Sequence, residues 1–325
     1  MAQPLPPKPR PAWRRALPLL GLVLLVWVLS RLDLGAMAAA LAEVSWGAVG
    51  LGAGLFAVNL GIKILRWGRM LAVQGLRVPP AVVVAAFLSG AFYGQVTLGR
   101  LGEMVRAEAL TERGVPLGQA LSSCLYDRGL DVGLVLLLGA SLGALVIGDA
   151  RAAWLAAAVV LALALMALAV VRAPALGSAP WVMRLRERMA RVSLLARGLS
   201  VLDDLVAGIG VLLRPGFLLE AGLVTAVAWT GYFGALVVLA AGLGIEAPPV
   251  LLVAGASLAA LSALLPVTVS GLGARELIYA QVLSLAEVPP ERAVLLSLLH
   301  LAMMTAVAIG LGALGVAARH RQRLA

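Results

Sequence analysis

Eight apolar runs dominate the chain, at 16–32, 46–66, 80–98, 129–148, 152–171, 216–242, 248–266 and 293–317. Each is near the ~20 residues an α-helix needs to cross the hydrocarbon of a bilayer. The runs are rich in Leu, Ala, Val and Gly and lack the polar/apolar alternation of a barrel strand, so helices must satisfy the backbone. The pattern predicts an all-α polytopic membrane protein. Composition agrees: 62% of the 325 residues are hydrophobic and 13% charged, with mean hydropathy +1.01, whereas about a quarter of a soluble domain is charged.

Basic residues orient the chain. Lys8, Arg10, Arg14 and Arg15 precede the first run, and Lys63, Arg66, Arg69 and Arg77 follow the second. By the positive-inside rule both groups are cytoplasmic and the first span ends outside near Asp33. If every later run crossed, Arg172, Arg184, Arg186, Arg188, Arg191 and Arg197 would lie outside, so one segment must turn back. The segment 80–128 fits: Gly90, Gly94 and Gly99 interrupt its apolar run, and Arg100, Glu103, Arg106, Glu108, Glu112 and Arg113 follow. The same arithmetic recurs at 248–290, where Pro266, Gly271 and Gly273 precede Arg275 and Glu276. Reading both as re-entrant hairpins gives about six full transmembrane helices plus two broken hairpins, with both termini cytoplasmic in the inner (plasma) membrane.

The hairpins also read as copies. Residues 96–102 align without gaps to 267–273, and Val115-Pro116 and Val288-Pro289 open the helices that follow. Span, hairpin, span thus occurs twice in opposite orientation, an inverted repeat of the kind that places a transport site between broken helices. The expected organisation is a cytoplasmic tail (1–15), one membrane domain (16–318) with repeats at about 46–148 and 216–317, and a tail at 319–325. Segment 181–213 alternates apolar residues with arginines as an amphipathic helix on the cytoplasmic leaflet would.

Charges inside a membrane are costly and must pair or face a wet cavity. Arg100, Arg106, Arg128 and Arg275 form a cationic set suited to a phosphate, because a guanidinium fork holds its oxygens bidentately. Glu103 and Glu276 would hold these arginines in the absence of ligand or accept an ammonium. Glycines at 99, 102, 271 and 273 and Pro266 would let broken backbone approach a headgroup. Lys63 and Arg66 are expected to snorkel to the interface, and Trp13, Trp46, Trp67, Trp154 and Trp181 to form an aromatic belt. His300 reads as a hydrogen-bonded packing group within the last span.

Other chemistries find little support. Cys124 is the one cysteine, and His300 and His320 are the two histidines, so no disulfide framework or spaced metal-ligand set is present and no cofactor is expected. The net charge of +10 comes without a basic stripe interleaved with aromatics, so nucleic acid is not an expected partner. Asp127 and Asp131 share a helix face and could hold a divalent cation, but a two-metal lipid transferase needs further carboxylates nearby. No nucleophile elbow or phosphate-cradling loop is visible.

Gly99-Arg100-Leu101-Gly102-Glu103-Met104-Val105-Arg106, Asp127-Arg128-Gly129-Leu130-Asp131, and Leu265-Pro266 followed by Ser270-Gly271-Leu272-Gly273-Ala274-Arg275-Glu276 together resemble a flippase-like membrane domain family. That family includes the transmembrane part of lysylphosphatidylglycerol synthases. The resemblance implies a domain associated with translocating lipids such as aminoacylated phosphatidylglycerol. The chain ends at Ala325 without a soluble aminoacyl-transferring domain, so lysyl transfer is not expected of it. The resulting expectation is a non-enzymatic transporter of a lipid with an anionic, phosphate-containing headgroup, with Asp127 and Arg128 joining the site. The rival readings are a membrane-embedded lipid-modifying enzyme, or a scaffold for a separately encoded one.

Overall fold

The computed structural model describes residues 12–97, 102–147, 192–263 and 271–324, with scattered positions of 151–189. The described chain is helical: α1 (Ala12–Leu29), α2 (Leu34–Ala42), α3 (Trp46–Val73), α4 (Pro80–Val96), α5 (Val105–Thr111), α6 (Leu117–Ile147), α7 (Ser193–Leu212), α8 (Pro215–Gly242), α9 (Pro249–Ser262), α10 (Ala274–Leu283) and α11 (Pro290–Leu324). Among the described residues, α3, α6, α8 and α11 are long and apolar enough to cross a membrane. The paired segments Leu20–Leu29 and Leu34–Ala42 of α1 and α2 meet at 88° and count at most as one bent span. The expected span at 152–171 lies largely outside the described residues.

Local chemistry sets the breaks. Asp33 starts α2 by accepting the N–H groups of Gly35 (2.8 Å) and Ala36 (3.1 Å), and Ser45 caps α3 through Ala48. Proline opens α4, α8 and α9, where a missing N–H costs nothing. Helix α3 ends at Gly75 (φ 79°) and α8 at Gly244 (φ 63°). In each case the next residue returns a hydrogen bond into the last turn, Leu76 to Leu71 and Ile245 to Ala240, both 2.9 Å. A Pro-Pro pair then starts α4 and α9. After α5, Gly114 takes φ 80°, and after α10, Glu287 takes φ 57°. Val115 bonds back to Leu110 and Val288 to Leu283, before the prolines that precede α6 and α11.

These matched turns make α3–α6 and α8–α11 two copies of one unit. The packing obeys the same exchange: α4 lies on α11 as α9 lies on α6, while α3 lies on α8. The α3–α8 pair is antiparallel, since Asn59 reaches Ala228, Arg66 reaches Thr225 and Arg69 reaches Glu220. Small residues bring the backbones together: a Cβ on Gly231 would stand 2.9 Å from the Leu55 carbonyl, and one on Gly312 3.0 Å from that of Leu88. The units are therefore inverted relative to each other. Each α4–α5 or α9–α10 limb enters and leaves from one end of the bundle: Arg319 of α11 meets Glu108 and Glu112 at the α5 end, whereas Arg292 bonds the Gly244 carbonyl at the other.

Helix α11 runs on through 319–324, and Arg319 is buried, paired with Glu108 and Glu112 of the α5 limb. Of the expected amphipathic segment 181–213, α7 is described; it packs on α6, where Gly118 admits the α7 backbone at Val201.

Candidate functional site

Between the two units lies a cavity of about 120 Å³, with apolar walls from Phe56, Leu60, Phe87, Val132 and Val135. Its polar side gathers charge from both units: Lys63, Glu103, Arg106, Asp127, Arg128 and Asp131 from the first, Arg275 from the second.

The first unit's charges are tightly matched. Arg66 donates from Nε (3.0 Å) and Nη2 (2.7 Å) to Oδ1 of Asp127, and from Nη1 to Oδ1 of Asp131 (3.0 Å) and Oγ1 of Thr225 (2.6 Å). Asp127 takes a further bond on Oδ2 from Arg106 Nη1 at 2.8 Å. Asp131 also accepts from Lys63 Nζ (2.8 Å) and from the Trp229 indole (3.1 Å), whose ring face carries the Lys63 ammonium at 4.7 Å. Arg106 stacks over Phe87 at 4.7 Å. Glu103 receives Arg128 at 3.3 Å and Arg106 at 3.7 Å. With Arg66 at 2%, Arg106 at 2% and Asp127 at 3% exposure, each charge survives burial through its partners.

Helix α4 makes room for this arrangement. A Cβ on Gly90 would stand 2.7 Å from Cγ of Arg106, and one on Gly94 2.7 Å from Cγ of Glu103. Two missing side chains thus let the returning limb bring Glu103 and Arg106 against α4.

The second unit is built differently. Arg275 donates from Nε to Ser297 Oγ (3.0 Å) and from Nη2 to His300 Nδ1 (3.2 Å), and lies over the Tyr279 ring at 5.7 Å. Glu276 turns away from it: Oε2 accepts the Gly273 N–H (2.6 Å) and Oε1 the Ser297 hydroxyl (3.0 Å). Among the described residues Arg275 forms no direct ion pair, although it is 5% exposed. Among the described residues, Tyr279 Oη and His300 Nε2 are buried without a hydrogen-bond partner.

The family model described as "Lysylphosphatidylglycerol synthase TM region" matches residues 16–312. The chain belongs to this family. It is a multi-pass membrane protein of a lipid-related family, in keeping with the resemblance carried by its Gly/Arg/Glu motifs. No curated protein and no solved structure matches the chain significantly.

Of the expected site residues, Glu103, Arg106, Asp127, Arg128 and Arg275 reach the cavity together. Glu276 lies behind Arg275, linked through Ser297 rather than by direct pairing. Gly99, Arg100 and Pro266 lie outside the described residues. The glycines serve the hairpins more than a ligand: the Gly102 N–H is taken by Thr97 Oγ1 at 2.7 Å and that of Gly273 by Glu276, while Gly271 (φ 80°) packs on Ser262.

Two expectations change. Lys63 and Arg66 do not snorkel; they point into the bundle, where Asp127 and Asp131 wait on the facing helix. Those two aspartates consequently hold cationic side chains, and their oxygens are engaged. Trp67 is fully buried, donating to Ser123 at 3.2 Å, and is a core residue rather than part of an interfacial belt. The signal for the first was present in the sequence: Lys63 and Arg66 share a face of α3 while Asp127 and Asp131 share one of α6, two complementary faces at helical spacing.

Proposed function

We propose that the chain binds a lipid with an anionic, phosphate-containing headgroup at Arg275 and carries it across the bilayer. The observation that supports this most directly is the charge balance of the cavity. The first unit's cations are met by three carboxylates, whereas Arg275 rests on a hydroxyl and an imidazole, with its charge uncancelled by direct contact among the described residues. A buried guanidinium of this kind is a strong site for a phosphate, which supplies both the missing charge and paired acceptors. Arg128, half-buried on the opposite wall, is the second candidate contact.

The cavity also limits what enters. At about 120 Å³, and with one water needing roughly 10–15 Å³ by the same measure, it holds a headgroup and not acyl chains. The tails would remain in the bilayer while the phosphate passes between the inverted units, as expected of sites formed between broken repeats. A carrier is favoured over a metal-dependent transferase because Asp127 and Asp131 are occupied by Lys63, Arg66 and Arg106. The end of the bundle that bears Arg77, Arg113, Arg214 and Arg319 is read as cytoplasmic.

Native mass spectrometry of the purified chain with phosphatidylglycerol, cardiolipin, polyprenyl phosphate and phosphatidylethanolamine in competition tests the binding half. Retention of the anionic lipids is expected. Preferential retention of phosphatidylethanolamine would refute the site. Transfer of a fluorescent anionic lipid between leaflets of proteoliposomes, absent from empty vesicles, tests the transport half.

A further inference from the structure

The inverted units invite a comparison of equivalent positions. The matched turns at Gly114 and Glu287 set the two chains in register from the hairpin into the following helix. In that register Glu103 corresponds to Glu276, Arg106 to Tyr279, Cys124 to Ser297 and Asp127 to His300. Where the first unit holds its hairpin with the Arg106–Asp127 ion pair, the second has Tyr279 and His300, each with a buried polar atom that has no hydrogen-bond partner among the described residues. A titratable imidazole thus stands where the first unit keeps a carboxylate paired with two arginines.

The hydrogen-bond direction gives that imidazole a task. A guanidinium only donates, so the contact at 3.2 Å requires Nδ1 of His300 to be the unprotonated acceptor. Adding a proton to Nδ1 abolishes that bond and sets two cations side by side. Arg275 Nη2 then loses its partner, and the cluster acquires one positive charge that no described residue pairs with. The groups that face His300 are few. Helix α10 presents Arg275, Glu276 and Tyr279, with Glu276 already engaged by Ser297 and Gly273. Helix α8 presents Tyr232, its ring 5.0 Å from the imidazole. Across the cavity α3 contributes Asn59 and Lys63, α4 contributes Gln95, and the first unit's charges form the far wall.

We infer that His300 is a proton-binding site coupled to the anion site: protonation releases Arg275 to the headgroup phosphate, and the phosphate neutralises the added charge. Lipid and proton therefore bind together, and each raises the affinity for the other by the same factor. The inference rests on the phosphate reading above. It gives the protein a means of drawing on a proton gradient to move lipid in one direction.

The probe is phosphatidylglycerol, whose diester phosphate keeps one charge throughout the range in which histidine titrates, offered to the full chain in nanodiscs between about pH 8 and 5.5. Affinity should rise as pH falls, by at most about tenfold per unit for one coupled proton. In weakly buffered solution at the pH where affinity changes most steeply, binding should take up close to one proton per lipid. His300→Asn, whose side-chain oxygen can still accept from Arg275, should bind with no pH dependence and no proton uptake. Equal wild-type affinity at every pH, absence of proton uptake, or an unchanged pH slope in His300→Asn would overturn the coupling while leaving the phosphate site standing. If wild type binds no phosphatidylglycerol at any pH, the phosphate reading itself fails. Should His300→Asn not fold, the proton stoichiometry of the wild type decides.

Discussion

At the scale of single residues, Arg66, behind the cavity wall, and Arg275, in it, have different work. Arg66 is enclosed by Asp127, Asp131 and Thr225, so it and Asp127 hold α3, α6 and α8 together. Asp127→Ala would strand Arg66 and Arg106 without their shared carboxylate, a loss of about 3–5 kcal/mol when one partner of a buried pair is removed. The expected outcome is a much lower thermal midpoint in detergent, read by differential scanning fluorimetry. Arg275 has no carboxylate to lose, so its conservative replacement tests function instead. Arg275→Lys exchanges a two-pronged donor for a point charge and should weaken anionic-lipid retention at least tenfold in native mass spectrometry, while Arg321→Lys, exposed near the end of α11, should leave it unchanged. Sequence alone singled out Arg275 because an arginine beside broken apolar helices is costly. It could not show that Glu276 faces elsewhere, because adjacent residues in a helix point about 100° apart and the intervening Ser297 comes from another helix.

Elements explain why hairpins form where they do. Gly90 and Gly94 are one turn apart on α4, and each is the floor on which one charged residue of the returning limb rests. Gly90→Val should push Arg106 from Asp127 and lower both stability and lipid binding. Gly54 of α3 is also in a helix but meets nothing within 4 Å. Gly54→Ala should therefore be neutral or slightly stabilising, by about 0.5–1 kcal/mol, through helix propensity. Measured side by side by thermal unfolding, the pair separates a packing requirement from a mere tolerance of glycine. The breaks themselves were legible in sequence, since Gly and Pro clusters ahead of charged residues interrupt an apolar run in only a few ways. The partners of the broken limbs were not: α4 packs on α11 and α9 on α6, contacts between helices more than about 100 positions apart that periodicity within a run does not encode.

For the whole molecule, inversion has a consequence that can be measured without knowing the lipid. The turn between α5 and α6 lies at the end of the bundle where Arg319 meets Glu108 and Glu112, and that between α10 and α11 lies beside Arg292 and Gly244 at the opposite end. Short-loop arginines favour the first end as cytoplasmic: Arg77, Arg113, Arg214 and Arg319 cluster there, against Arg31 and Arg292 at the other. Gly114 and Glu287 are poor labelling sites because both take positive φ, which a cysteine adopts only with strain. Arg113 and Leu285 are exposed neighbours free of that constraint. Starting from Cys124→Ala, which removes the buried native thiol, Arg113→Cys should react with a membrane-impermeant maleimide only after the cytoplasmic face is opened. Leu285→Cys should react in intact cells from outside. Labelling of both from one side would mean that the two hairpins enter from the same face; the antiparallel docking of α3 on α8 would then have to be wrong, and with it the placement of Arg275 opposite the first unit's charges.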